Sequence, residues 1–150
     1  MGPSGCGCTA PSWPSALNSL VLKTTLPPRL RELAILVTAR FWDAQIEWSV
    51  HEPAGREAGI PRAVIEDIKR RRTPEFREPD EESVYKYTFE LLRDHFVADD
   101  VFSAVAEHLG PRGVTELTIL IGYYSLVALS LNAFSIPVPP NLRPLLGDLE

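Results

Sequence analysis

From Thr118 to Phe134 the chain carries no charged residue. A helix-length stretch this apolar has to be covered by the rest of the chain, by a second copy or by lipid. A membrane span calls for about 20 predominantly apolar residues. This run contains two Tyr, two Ser and an Asn, and Pro137 follows it closely, so it reads as a central buried helix with no membrane partner. A second apolar segment lies upstream. Leu30, Leu33, Ala34, Val37, Phe41, Ala44 and Trp48 fall at helical spacing, and Ile35, Leu36, Trp42, Ile46 and Val50 are apolar off that face. A helix apolar on several sides is wrapped rather than laid on a surface. Two such helices exceed what a 150-residue monomer buries comfortably, so a homo-oligomer is expected, with one of them at the interface.

The rest of the chain also reads as helix. No alternating run bounded by Asn-Gly or Asp-Gly marks a strand. About six helices are expected in an all-α fold. A short one spans Pro11 to Leu22, and a second region opens after Pro27-Pro28 and ends at Gly59. A third runs from Pro61 to about Arg71. A fourth is capped by Asp80 and ends near His95, and a fifth runs from an Asp99 cap to Gly110. The sixth covers about Gly113 to Phe134, and a proline-rich tail with Pro137, Pro139, Pro140 and Pro144 wraps another surface in extended form. The length suits one domain, residues 26–150, preceded by a partly disordered segment, residues 1–25. Arg31 to Val37 echoes Thr115 to Ile121 in the same register, the trace a duplicated helical hairpin would leave.

A net charge of −5 argues against a nucleic-acid partner. The one basic cluster, Lys69 to Arg72, precedes Glu75, Glu78, Asp80, Glu81 and Glu82 and reads as a solvated helix end. Cys6 and Cys8, the only cysteines, make neither a disulfide scaffold nor a zinc site. The Gly-rich start has no basic n-region and no apolar h-region, so a cytoplasmic location is expected. With no phosphate loop and one plausible ligand histidine, no metal and no cofactor are expected.

Function is to be sought among polar groups where burial is expected. Glu32, Arg40, Asp43, Glu47 and His51 fall within an arc of roughly 100° on a continuous helix. On a straight helix, however, Glu32 and His51 would stand about 28 Å apart. They share a site only if the helix breaks between them, and Asp43 is the candidate break, capping a second helix that begins at Ala44. Glu47 and His51, four apart, face one another in any case. A Glu/His pair at this spacing is commonly a surface pair, and Trp42, Trp48, Tyr123 and Tyr124 are commonly core residues. His95 and His108 suit helix C-terminal ends.

Several short motifs, in order, resemble the carboxymuconolactone decarboxylase/AhpD-like superfamily. They are Leu-Pro-Pro-Arg-Leu-Arg-Glu-Leu-Ala-Ile-Leu from Leu26, Glu47-Trp48-x-x-His51, Ala58-Gly59, and Glu116-Leu-x-x-Leu-Ile-Gly-Tyr-Tyr with Asn132. The resemblance covers about residues 26 to 140. It implies an all-helical fold with duplicated hairpins, assembled as trimers or hexamers. The redox branch carries Glu, eleven residues, Cys-x-His-Cys, three residues and His. On this chain the outer Glu and His fall on Glu32 and His51, while the two cysteine positions become Ala44 and Glu47 and the middle His becomes Ile46. Disulfide exchange needs an attacking and a resolving thiol, so peroxiredoxin-type activity is not expected despite the family likeness.

The decarboxylase branch needs no thiol, and its likeness implies acid/base work on a small organic acid or lactone. His51, Glu47 and Glu32 are then the catalytic candidates, with Trp48, Trp42, Tyr123 and Arg40 as substrate-binding walls. Glu47 orients His51, which acts as a general acid, and Glu32 is the base. Two alternatives stand beside this reading: an AhpD-like peroxidase-related antioxidant protein, and a non-catalytic oligomer that binds small molecules.

Overall fold

The computed structural model describes residues 23–144 and 146, and these form five helices with no strand among them. They are α1 (Pro28–Phe41), α2 (Gln45–Glu57), α3 (Arg62–Lys69), α4 (Pro79–Asp94) and α5 (Asp99–Ala133). The helix expected over Pro11 to Leu22 and both cysteines lie outside the described residues.

Helix α1 is the hub. Eight consecutive residues, Glu32 to Ala39, are buried, and the helix packs against α2, α3, α4 and α5. Its all-round apolar surface requires that surround. Pro28 starts it at a position where the missing N–H is no loss. Thr38, inside the core, satisfies its hydroxyl on the Ala34 carbonyl at 2.8 Å. Glu32 is the one ionisable residue in the run, and it too is buried.

The chain breaks at Asp43, the candidate position in the sequence, but Ala44 is the residue flanking α2 and Asp43 does not cap it. It takes the left-handed conformation (φ 53°) after α1, with Asp43 N–H on the Arg40 carbonyl and Ala44 N–H on the Ala39 carbonyl. That bond pair is a Schellman stop, which ordinarily favours glycine at the left-handed residue. The same pattern ends α2 at Gly59, α3 at Arg71 and α5 at Ser135. Asp80 and Asp99 likewise sit inside their helices, as second and first residue, because Glu78 and Ala98 occupy the flanking positions. As first-turn acids they still complement the helix dipole.

Helix α5 joins the fifth and sixth expected helices across a kink at Gly110 (φ 66°, ψ 173°), followed by Pro111. Its second half departs from the expectation of a central buried helix. Leu117, Leu120, Ile121 and Ala128 are buried, whereas Ile119, Leu126, Leu129 and Phe134 are about half exposed. Only 28% of its most apolar window is buried, because α1 and α4 cover one side alone.

The acids after the basic cluster do not answer it. Arg70 pairs with Glu66, Arg71 with Asp43 and Arg72 with Asp67. Asp80 and Glu81 instead hold Arg29 of α1. The tail crosses α2 as expected: Ser49 donates to the Arg143 carbonyl at 2.7 Å, and Leu146 N–H donates to Gln45 at 2.9 Å.

Candidate active site

The Asp43 turn folds α2 back along α1, and this brings Glu32 and His51 together. His51 Nδ1 lies 2.7 Å from Glu32 Oε2. Arg31 donates to the other Glu32 oxygen from Nε at 3.2 Å and from Nη2 at 3.1 Å. Burial pushes the Glu32 carboxyl up, but the His51 hydrogen bond and charge, with Arg31, outweigh it and hold the group below its ordinary range. An ionised Glu32 can only accept, so His51 Nδ1 is the donor and Nε2 is the ring atom left for chemistry. The His51 side chain keeps 16% of its surface exposed.

Glu47, one turn before His51, is buried, and among the described residues neither of its carboxyl oxygens has a hydrogen-bond partner. Burial pushes its pKa up to about 8. It therefore holds a proton at neutral pH, the form in which a carboxyl can donate. The hydrogen-bond partner of the imidazole is Glu32, whereas Glu47 is the residue expected from the sequence to orient the ring.

Tyr124 completes the cluster from α5. Its ring meets the His51 ring edge-on at 5.1 Å, and Tyr123 meets Tyr124 edge-on at 5.3 Å. Burial, then the Glu32 and Glu47 carboxyls, raise the Tyr124 phenol above its ordinary range. Burial and Glu47 do the same to Tyr123. Sequence reasoning placed Tyr123 at the site and left Tyr124 among the core residues. The rotation of α5 brings the Tyr124 ring against the imidazole.

The other expected walls have partners of their own. Trp48 is fully buried, and its indole donates to Glu52 at 2.7 Å, which makes it a core residue. Trp42 donates to Ser125 at 3.0 Å and its carbonyl accepts from Asn132 at 2.6 Å, joining the helix break to α5. Arg40 turns away from His51. It donates to the Lys69 carbonyl at 2.7 Å and to Asp43.

The arrangement of helices can be matched to a known structure. A crystal structure from Agrobacterium tumefaciens, of a protein of unknown function described as a candidate AhpD antioxidant defence protein, is similar with a TM-score of 0.72. The match covers 83% of this chain and 87% of that one, at 18% identity. The chain has the AhpD-like fold. No family model and no curated protein matches its sequence. Within the AhpD-like fold, the contact between Glu32 and His51 joins the two ends of the redox frame to which the sequence was compared. Ala44 and Glu47 occupy the places where that frame has cysteines.

Proposed function

We propose that this chain is a thiol-independent acid/base protein with an AhpD-like fold, acting on a small organic acid or lactone. One arrangement carries the reading: Glu32 holds His51 Nδ1 at 2.7 Å, while buried Glu47, one turn before His51, has no hydrogen-bond partner among the described residues and is pushed by burial up to about 8. Environments that push two carboxyls apart assign a base side and an acid side to one site. His51 Nε2, held by Glu32, takes a proton from the substrate, and Glu47 delivers one. In a decarboxylation, loss of CO₂ leaves an electron pair on carbon, and a neutral carboxyl in a dry setting is suited to protonate it. The assignment reverses the expected roles of His51 and Glu47 and keeps the same three catalytic residues.

The test is CO₂ release and solvent proton exchange over a panel of carboxylated γ-lactones and β-keto acids. Turnover that falls in both His51→Gln and Glu47→Gln, and persists in Cys6→Ser/Cys8→Ser, supports the proposal. Peroxide reduction with a dithiol donor that disappears in the double cysteine variant would instead establish the antioxidant reading.

The same proposal includes assembly with further copies of the chain. Ile119, Leu126, Leu129 and Phe134 form a half-exposed apolar row on α5, and Val50 on α2 is exposed beside His51. The uncharged stretch from Leu117 to Ala133 is about 25 Å long at helical rise. That is shorter than the roughly 30 Å hydrocarbon core, and one side of it already packs on α1 and α4, which favours a protein partner over lipid.

A further inference from the structure

The side chains that turn away from His51 build a second feature. Arg40, Arg71 and Arg72 line a cavity of about 220 Å³ together with Phe41, Tyr85 and Phe89. Tyr85 and Phe89 stack nearly parallel, with centroids 5.9 Å apart and planes 5° from one another, giving the cavity a flat apolar wall. Of the lining arginines, Arg40 and Arg71 both donate to one carboxylate, Asp43, while Arg72 has Asp67 to itself. Two guanidiniums on one carboxylate leave a positive charge unmatched beside an aromatic wall. Burial, with the neighbouring Arg71 charge, lowers the Arg40 pKa, so an additional anion there would relieve repulsion.

The backbone also points to this place. Asp43 (φ 53°) and Arg71 (φ 56°) end α1 and α3 in the left-handed conformation where glycine is the usual residue. Each carries instead a charged side chain, and the two bind one another at 2.7 Å. That pairing holds the Arg71 guanidinium at the cavity wall beside Arg40.

We infer that the cavity between α1, α3 and α4 binds a small monocarboxylate with a flat apolar body. The carboxylate lies against Arg40 and Arg71, whose planar forks match its geometry. The ring lies against Tyr85 and Phe89. The volume is below that of drug-sized pockets, which restricts the ligand to about one ring. This site shares no residue with the His51 cluster, so it stands or falls independently of the proposed chemistry there.

Benzoate and its neutral analogue benzamide, titrated by calorimetry and ligand-observed NMR into the full chain, test the inference. Benzoate is expected to bind at least tenfold more tightly than benzamide. Arg71→Gln, at a half-exposed position, should weaken benzoate at least tenfold with melting within a few degrees of wild type, and Phe89→Leu should weaken it severalfold. His51→Gln should leave it unchanged. Equal binding of the two probes, no binding of benzoate, undiminished binding in Arg71→Gln, or loss of binding in His51→Gln would each overturn the inference.

Discussion

Glu32 and His51, 19 positions apart in the chain, meet at 2.7 Å. A straight helix would hold them about 28 Å apart, so the left-handed Asp43 turn creates the contact. The pair is a buried carboxylate holding one nitrogen of a partly open imidazole, which is the arrangement a general base requires.

His51→Gln keeps a donor for Glu32 but removes the base. Turnover on an accepted substrate is expected to fall about 10²–10⁴-fold with melting within a few degrees of wild type. His51→Ala also takes a donor from the buried Glu32 carboxylate and should lose a further 1–3 kcal/mol or so of stability. Thermal melts beside rate measurements on both variants check this. Equal losses of stability in the two would make the pair a structural bridge.

Glu47 makes stability depend on pH. The folded carboxyl keeps its proton to about pH 8, while the unfolded one releases it near 4.5. Between these values the unfolded state binds fewer protons, so stability falls as pH rises through the window. Glu47→Gln should flatten this decline, and by pH 9 it should be more stable than wild type by on the order of 3 kcal/mol. Denaturant titrations at pH 5, 7 and 9 measure the difference. Parallel pH profiles for the two proteins would show that Glu47 is ionised in the fold.

Gly55 sets how closely α2 approaches its neighbours. A Cβ there would stand 3.0 Å from Leu36 Cδ1 and 3.2 Å from Ile60 Cδ1, both on buried residues. Gly55→Ala should cost about 1–3 kcal/mol through overpacking. Because it presses α2 away from α1, it should also weaken the contact between His51 and Glu32, seen as a changed imidazole resonance by NMR.

Glu116 ties the start of the described chain to α5. Its Oε2 accepts from the Thr25 amide at 2.7 Å and from the Thr24 and Thr25 hydroxyls at 2.9 and 2.8 Å. The Arg112 hydrogen bond, chiefly, and these threonine donors hold its carboxyl down to about 2. The stabilising effect is present above about pH 4.5 and is lost as pH falls toward 2. Glu116→Gln should speed hydrogen exchange at the Thr25 amide at pH 7, with little effect on exchange in α1.

The apolar row on α5 predicts assembly. Sedimentation at micromolar concentration should give a multiple of 16.7 kDa. Leu126→Glu with Leu129→Glu should bring the mass down toward a single chain, because burying two unpaired carboxylates in an interface is strongly unfavourable. A wild-type mass of about one chain would refute the proposed assembly.

Patterns along the chain determined the helical architecture, because apolar spacing and proline or glycine punctuation act locally. The break between Phe41 and Gln45, the kink at Gly110 and the hub role of α1 were all legible in that way. So was the condition for grouping Glu32 with His51, a break between them at Asp43. Interactions among distant residues decided the rest. Protonation depends on what surrounds a group in space, so the opposite states of Glu32 and Glu47 follow from Arg31, His51 and burial and not from spacing on one helix. Asp43 in the turn after α1 gathers Arg40 and Arg71, and the rotation of α5 sets Tyr124 against His51. A change of 100° between neighbouring helical positions leaves the composition of a segment unaltered while deciding which side chain reaches the site.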